Sequence, residues 1–212
     1  MISLKNVVMT AAVLAFSVNV ASPAQDCAVG IKPPAAGSWA EYTTADGTMR
    51  LAVLGHENRA GKDLIRFEMN MTTKDGPVTL QVLASGYPYE MSSVQDFVVK
   101  PAGGPAMRLS GQMLQMMQSR MPKDAIADAC RNAQMKRVGE ETITVPAGTF
   151  QTIHYRDETS GNDVWVSESV PFGLVKTSLA RGGEIVLTGK GTGAKSQITE
   201  PPQEMTMPGG RP

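Results

Sequence analysis

Ile65-Arg66-Phe67-Glu68-Met69-Asn70-Met71 alternates apolar and polar side chains without a break. Successive side chains of a strand point to opposite faces. The stretch therefore reads as a strand with Ile65, Phe67, Met69 and Met71 on a core face and Arg66, Glu68 and Asn70 on a solvent face. Its neighbours repeat the pattern. Upstream, Met49, Leu51 and Val53 share one side of a candidate strand, with Arg50 and His56 on the other, and Asn58-Arg59-Ala60-Gly61 makes a turn. Downstream, Asp75-Gly76-Pro77 turns into Val78, Leu80 and Val82. Short turns between alternating strands make hairpins, and hairpins pair antiparallel.

The C-terminal half follows the same plan. Thr142 to Val145 is a strand ending in Pro146-Ala147-Gly148, where a three-residue hairpin with a bulge is expected, and Thr149 to Asp157 returns. Val164-Trp165-Val166, Leu174 to Leu179 and Glu184 to Thr188 are further strands. The middle differs. Ser110 can cap a helix that runs to Met121 and stops at Pro122. Asp124 can cap a second, with Ile126, Ala129, Cys130 and Ala133 on one face. The order of strands, two short helices and strands predicts an α+β, β-dominated fold, a curved antiparallel sheet with both helices against its concave face.

The ends carry different signals. Lys5 is the sole charge in residues 1–24, an apolar run follows from Val7 to Val20, and Ser22-Pro23-Ala24 places small residues for cleavage after Ala24. Residues 1–24 are thus expected to be a secretory signal peptide, too short for a spanning anchor. Ala24-Gln25-Asp26 before Cys27 does not suit a lipidation signal. Export to the periplasm makes Cys27 and Cys130 an expected disulfide. Residues 25–198 are expected to form one domain, and 199–212, rich in Pro and Gly, a disordered tail. The chain holds 20 basic and 20 acidic side chains. With no basic excess, nucleic acid is not an expected partner.

Few side chains point to chemistry. Met113, Met116, Met117 and Met121 fall on one face of the first helix, either as core or as a pliable wall for an apolar ligand. Trp165 reads as a core residue or a pocket lining. Gly189-Lys190-Gly191-Thr192-Gly193-Ala194-Lys195-Ser196 imitates a phosphate loop, but Ala194 stands where a glycine belongs and no helix follows, so a strand end fraying into a flexible tail is expected. His56 and His154 show no metal-ligand spacing, and no nucleophile elbow occurs. No cofactor, metal site or catalytic residue is expected.

Val145-Pro146-Ala147-Gly148-Thr149-Phe150, then Val164-Trp165-Val166 and Phe172-Gly173-Leu174-Val175-Lys176, resemble a broad set of exported bacterial proteins of unassigned activity. That set is similar to the lipoprotein-carrier (LolA/LolB-like) half-barrel, in which helices lie across a concave sheet. The resemblance implies a fold more than a function. Two readings follow. One is a non-catalytic periplasmic protein that binds or carries an apolar ligand, such as a lipid or an acylated protein, through Met113, Met116, Met117, Met121 and Trp165. The other is an envelope structural or accessory protein with a filled core, acting through contacts with other envelope proteins.

Overall fold

The computed structural model describes residues 33–74, 76–87, 91–120 and 135–205, with the side chain of Arg120 excepted. Their strands are β1 (Trp39–Thr44), β2 (Gly47–Arg59), β3 (Lys62–Thr73), β4 (Gly76–Ala84), β5 (Asp96–Lys100), β6 (Met107–Leu109), β7 (Met135–Val145), β8 (Gly148–Asp157), β9 (Asp163–Val166), β10 (Leu174–Ser178), β11 (Glu184–Gly191) and β12 (Gln203–Met205). One helix, α1 (Gly111–Arg120), lies between β6 and β7. All twelve strands join one sheet in the order β12-β6-β5-β4-β3-β2-β1-β11-β10-β9-β8-β7. Every pair is antiparallel except β12 with β6.

The sheet is strongly curved and does not close. Tyr87 follows β4 and Phe172 precedes β10, and β4 and β10 stand five steps apart in the strand order. In a flat sheet those steps span about 24 Å. Yet the Tyr87 hydroxyl donates to the Phe172 carbonyl at 3.4 Å, and the two rings lie 5.8 Å apart, edge to face. Tyr42 on β1 likewise donates to the Leu174 carbonyl on β10 at 3.2 Å. The backbone amide of Ala147, at the tip of the β7–β8 hairpin, donates to Leu187 on β11 at 3.3 Å.

Apolar side chains drive that curl. The main cluster joins Tyr42, Val53, Phe67, Phe150, Phe172, Val175 and Leu187 on the inner face. A second cluster joins Val82, Ala84, Val94 and Leu114, with Phe97 and Met117 against it. Deep burial pushes the Tyr42 hydroxyl well above the ordinary phenol range, with the nearby Tyr87 adding to the effect. Tyr42 therefore stays a neutral donor.

Register explains why β2 to β5 form one continuous inner wall. Leu51, Met69, Leu80 and Val99 are directly opposed across four strands, as are Val53, Phe67, Val82 and Phe97. Opposed residues share a face. A bulge between Val53 and Gly55 adds one residue to β2, so His56 comes opposite Ile65 on the side of Val53. Strict alternation, which set His56 beside Arg50, fails there for that reason.

Other expectations also change. The Val145–Gly148 pair closes a two-residue turn over Pro146 and Ala147, where three residues were expected. Gln203–Met205 form β12 beside β6, so these residues are strand and not tail. The segment after Gly191 is no frayed end. The amide of Ala194 donates to the Gly37 carbonyl, Ser196 reaches Glu68 on β3, Glu200 pairs with Lys100 on β5, and the amide of Gln203 donates to Ala106. Residues 192–205 thus run as a strap across the outer face, from β11 to β6. The expected signal peptide, the second helix, Met121, Cys27, Cys130 and residues 206–212 lie outside the described residues.

Candidate functional site

The expected methionine face is turned by the way α1 docks. The Ser110 hydroxyl caps α1 by accepting from the Met113 amide at 3.4 Å. Leu114 and Met117 then seat on Val82, Ala84 and Val94. One turn on, the Gln118 side-chain amide donates to the carbonyls of Met91 and Val94 at 3.1 and 2.8 Å. The face toward the sheet is therefore 114, 117 and 118. Met117 packs there, whereas Met113 and Met116 are half-buried beside it. A leucine and a glutamine with two carbonyl acceptors hold the helix more firmly than a methionine row.

Beside this helix, the inner wall leaves a hollow of about 270 Å³. Leu51, Met69 and Leu80 line it from one row of opposed residues, and Phe67, Val82 and Phe97 from the next. Tyr87 and Phe172 close its far side. Met113, Met116, Met117 and Trp165 are not among the described lining residues. Phe172 holds φ at +65°, a left-handed conformation that costs a residue with a Cβ about 1–2 kcal/mol. Pro171 before it and Gly173 after it, at φ +77°, complete the tight turn. Burial of its ring in the main cluster offsets that strain and holds the aromatic at the rim.

Sequence reasoning missed this hollow. Met69 and Leu80 were legible as inward residues, but the curl that brings Tyr87 and Phe172 to them depends on contacts across five strands. A larger and more open hollow, about 560 Å³, runs along β8 past Gln151, Thr152, Ser167 and Glu168. Phe150, Ile153 and Val166 line it too, but it is more open to solvent and mixes them with polar side chains.

Trp165 packs at the margin of the main cluster, as a core residue, with a polar group around its outer side. Its ring stacks on His154, with centroids 4.5 Å apart and planes 13° from parallel. Its indole N–H donates to Glu141 at 2.6 Å, and the Lys176 ammonium sits 5.6 Å from its ring centroid. His154 Nδ1 lies 3.0 Å from Glu141 and Nε2 2.8 Å from Asp163. These carboxylates approach opposite edges of the imidazole and do not converge on one point. Among the described residues, no group of three His, Cys, Asp or Glu could hold a metal ion. No described helix is long and apolar enough to cross a membrane.

No family model and no curated protein matches the chain. Solved structures give distant likenesses. A candidate lipoprotein from Parabacteroides distasonis is 16% identical, with 76% of this chain and 97% of that one covered and a TM-score of 0.36. A candidate exported protein with a YmcC-like fold from Bacteroides fragilis is 11% identical, with 76% and 99% covered and a TM-score of 0.36. MucB, in its complex with MucA(peri), is 14% identical, with 80% and 56% covered and a TM-score of 0.31. At these scores and identities no fold or function is carried over from them.

Proposed function

We propose that this is an exported, non-catalytic protein that binds an apolar ligand in the hollow of its curved sheet. The single observation that carries the reading is the cavity of about 270 Å³ bounded by Leu51, Phe67, Met69, Leu80, Val82 and Phe97. An apolar hollow open to solvent leaves its walls wetted, and an apolar ligand that displaces that water gains the free energy of burying them. Its volume lies just below the ordinary ligand-pocket scale of roughly 300–1,000 Å³. That suits one acyl chain, from a lipid or an acylated protein, better than a two-chain lipid. Export is proposed from Lys5, the Val7–Val20 run and Ala24, with Cys27 and Cys130 paired outside the cytoplasm. Gentle purification from the envelope, followed by organic extraction and mass analysis, tests the reading. Recovery of a stoichiometric acyl lipid is expected, and its absence together with no uptake of added fatty acid contradicts it.

A second reading, an accessory protein acting through protein contacts, draws on β7. Among the described residues this strand ends the sheet, runs for eleven residues and leaves Val138 56% exposed. A free strand edge offers unpaired backbone groups to a partner. Crosslinking from position 138 in the envelope separates the readings. A defined protein partner favours this one.

A further inference from the structure

The outer face holds a polar cavity of about 290 Å³ beside the strap, lined by Glu41, Thr48, Arg50, Asn70, Thr72 and Gln197, with Thr79 at its floor. Arg50 Nη1 is buried and has no hydrogen-bond partner. It is the sole such side-chain atom among the described residues. A buried guanidinium N–H left unpaired is costly, and the cavity that Arg50 lines gives water or a ligand room to approach the rest of the group.

Arg50 is also held in place. Its guanidinium carbon lies 4.9 Å from the centroid of the Trp39 ring. Trp39 in turn donates to the Thr192 carbonyl at 3.2 Å and lies flat on β11 where two glycines make room. A Cβ at Gly191 would stand 2.9 Å from the indole. This close approach is a use for the glycines of the phosphate-loop imitation that does not involve phosphate.

Glu41 sits directly opposite Arg50 in the β1–β2 register, yet no ion pair within 4 Å joins these two described residues. The cavity therefore offers one unpaired cation and one unpaired anion on neighbouring strands. Thr48 and Thr72 add exposed hydroxyls, and Asn70 is committed to Thr79 and Glu68. We infer that this cavity binds a small zwitterion, whose carboxylate or phosphate takes the fork of Arg50 and whose ammonium takes Glu41. Binding there is separate from the apolar hollow, which opens on the other face of the sheet. It also secures the strap, since Gln197 lines the cavity.

Thermal melting of the whole chain tests this, with glycine, phosphoethanolamine, acetate and inorganic phosphate added at matched ionic strength against chloride. Glycine or phosphoethanolamine should raise the midpoint saturably, by about 5–10 °C at a hundredfold excess over Kd. The two distinguish a carboxylate from a phosphate ligand. Acetate and phosphate, which lack the ammonium, should bind at least tenfold more weakly. Arg50→Gln should abolish the effect. Glu41→Gln should erase the advantage of the zwitterions. Thr72→Val, at an exposed position, should weaken binding severalfold and serves if Arg50→Gln folds poorly. No saturable shift with any probe, or an equal shift in Arg50→Gln, overturns the proposal.

Discussion

The carboxylate of Glu68 on β3 accepts a hydrogen bond at 2.8 Å from the hydroxyl of Ser196, 128 positions further along the chain. Glu68 is 1% exposed. Gln81 donates to it at 2.8 Å, Asn70 at 3.0 Å and the Gln197 amide at 3.1 Å. A carboxylate is an acceptor-only group, and four converging donors satisfy it. No cation is needed, and the strap supplies two of the four donors.

Removing either partner should therefore loosen the strap. Ser196→Ala is expected to cost about 1–2 kcal/mol, since its hydroxyl meets Gln81 and the Ile198 backbone as well as Glu68. Glu68→Ala leaves buried donors unpaired and is expected to cost about 1–3 kcal/mol, the range for an unsatisfied buried polar group. Urea unfolding gives the stabilities, and limited proteolysis should cut residues 192–205 faster in both variants. Unchanged proteolysis in Glu68→Ala would show that the strap is held by other contacts.

Acid should weaken the outer face at Glu57. Partial burial pulls this carboxyl upward, but hydrogen bonds from Arg66 and Arg59 outweigh it and hold the group below its ordinary value of 4.5. A depressed folded value means the stabilisation is full above the unfolded pKa and is lost as pH falls through the folded one. Glu57 is 35% exposed, so solvent screening limits the effect to under about 1 kcal/mol. Glu57→Gln should flatten the fall in stability below pH 4.5, measured by denaturant titration at stepped pH. An identical slope in the variant refutes the assignment.

Two glycines give opposite expectations. Gly47 opens β2 at φ +147°, and a Cβ there would stand 1.9 Å from the Thr72 carbonyl oxygen. Gly47→Ala must move backbone in the β2–β3 ladder and should cost about 3 kcal/mol or more. Gly139 lies at the β7 bulge with nothing within 4 Å of a Cβ and no positive φ. Gly139→Ala should be neutral or stabilising by about 0.5 kcal/mol, through the unfolded chain. Thermal melts of both decide it, and equal losses would contradict the packing described.

The stacked pair should be silent in ligand binding. His154→Ala removes the ring that lies on Trp165 and is expected to cost about 1 kcal/mol and to shift the tryptophan emission. Uptake of an apolar probe should not change. A parallel loss of uptake would place Trp165 in the binding site after all.

Ile65 to Met71 announced the inner wall because its alternation is a local property, and the Ser110 cap was legible for the same reason. Trp165 and His154 were visible only as isolated aromatics. Their partners Glu141 and Asp163 arrive by strand pairing, 13 and 9 positions from His154, which spacing along one chain does not reveal. Glu68 read as a solvent-facing residue, since alternation assigns a face but not what covers it. The strap covers it, and its Gly-rich, polar composition looked like a loose end because the hydrogen bonds that anchor it to the sheet are long-range. The sheet's curvature was expected from the order of strands and helices, but the aromatic closure at Phe172 hinges on a left-handed turn residue that no propensity favours.

The most direct test is the equilibrium binding of a fluorescent single-chain fatty acid to the wild type and to Leu80→Trp, which fills the hollow between β3 and β5. Saturable binding to the wild type, weakened at least tenfold in Leu80→Trp and unchanged in Met113→Ala and Trp165→Phe, is the expected result. Equal affinity in all four proteins, or no saturable binding to the wild type, would contradict an apolar site on the inner face.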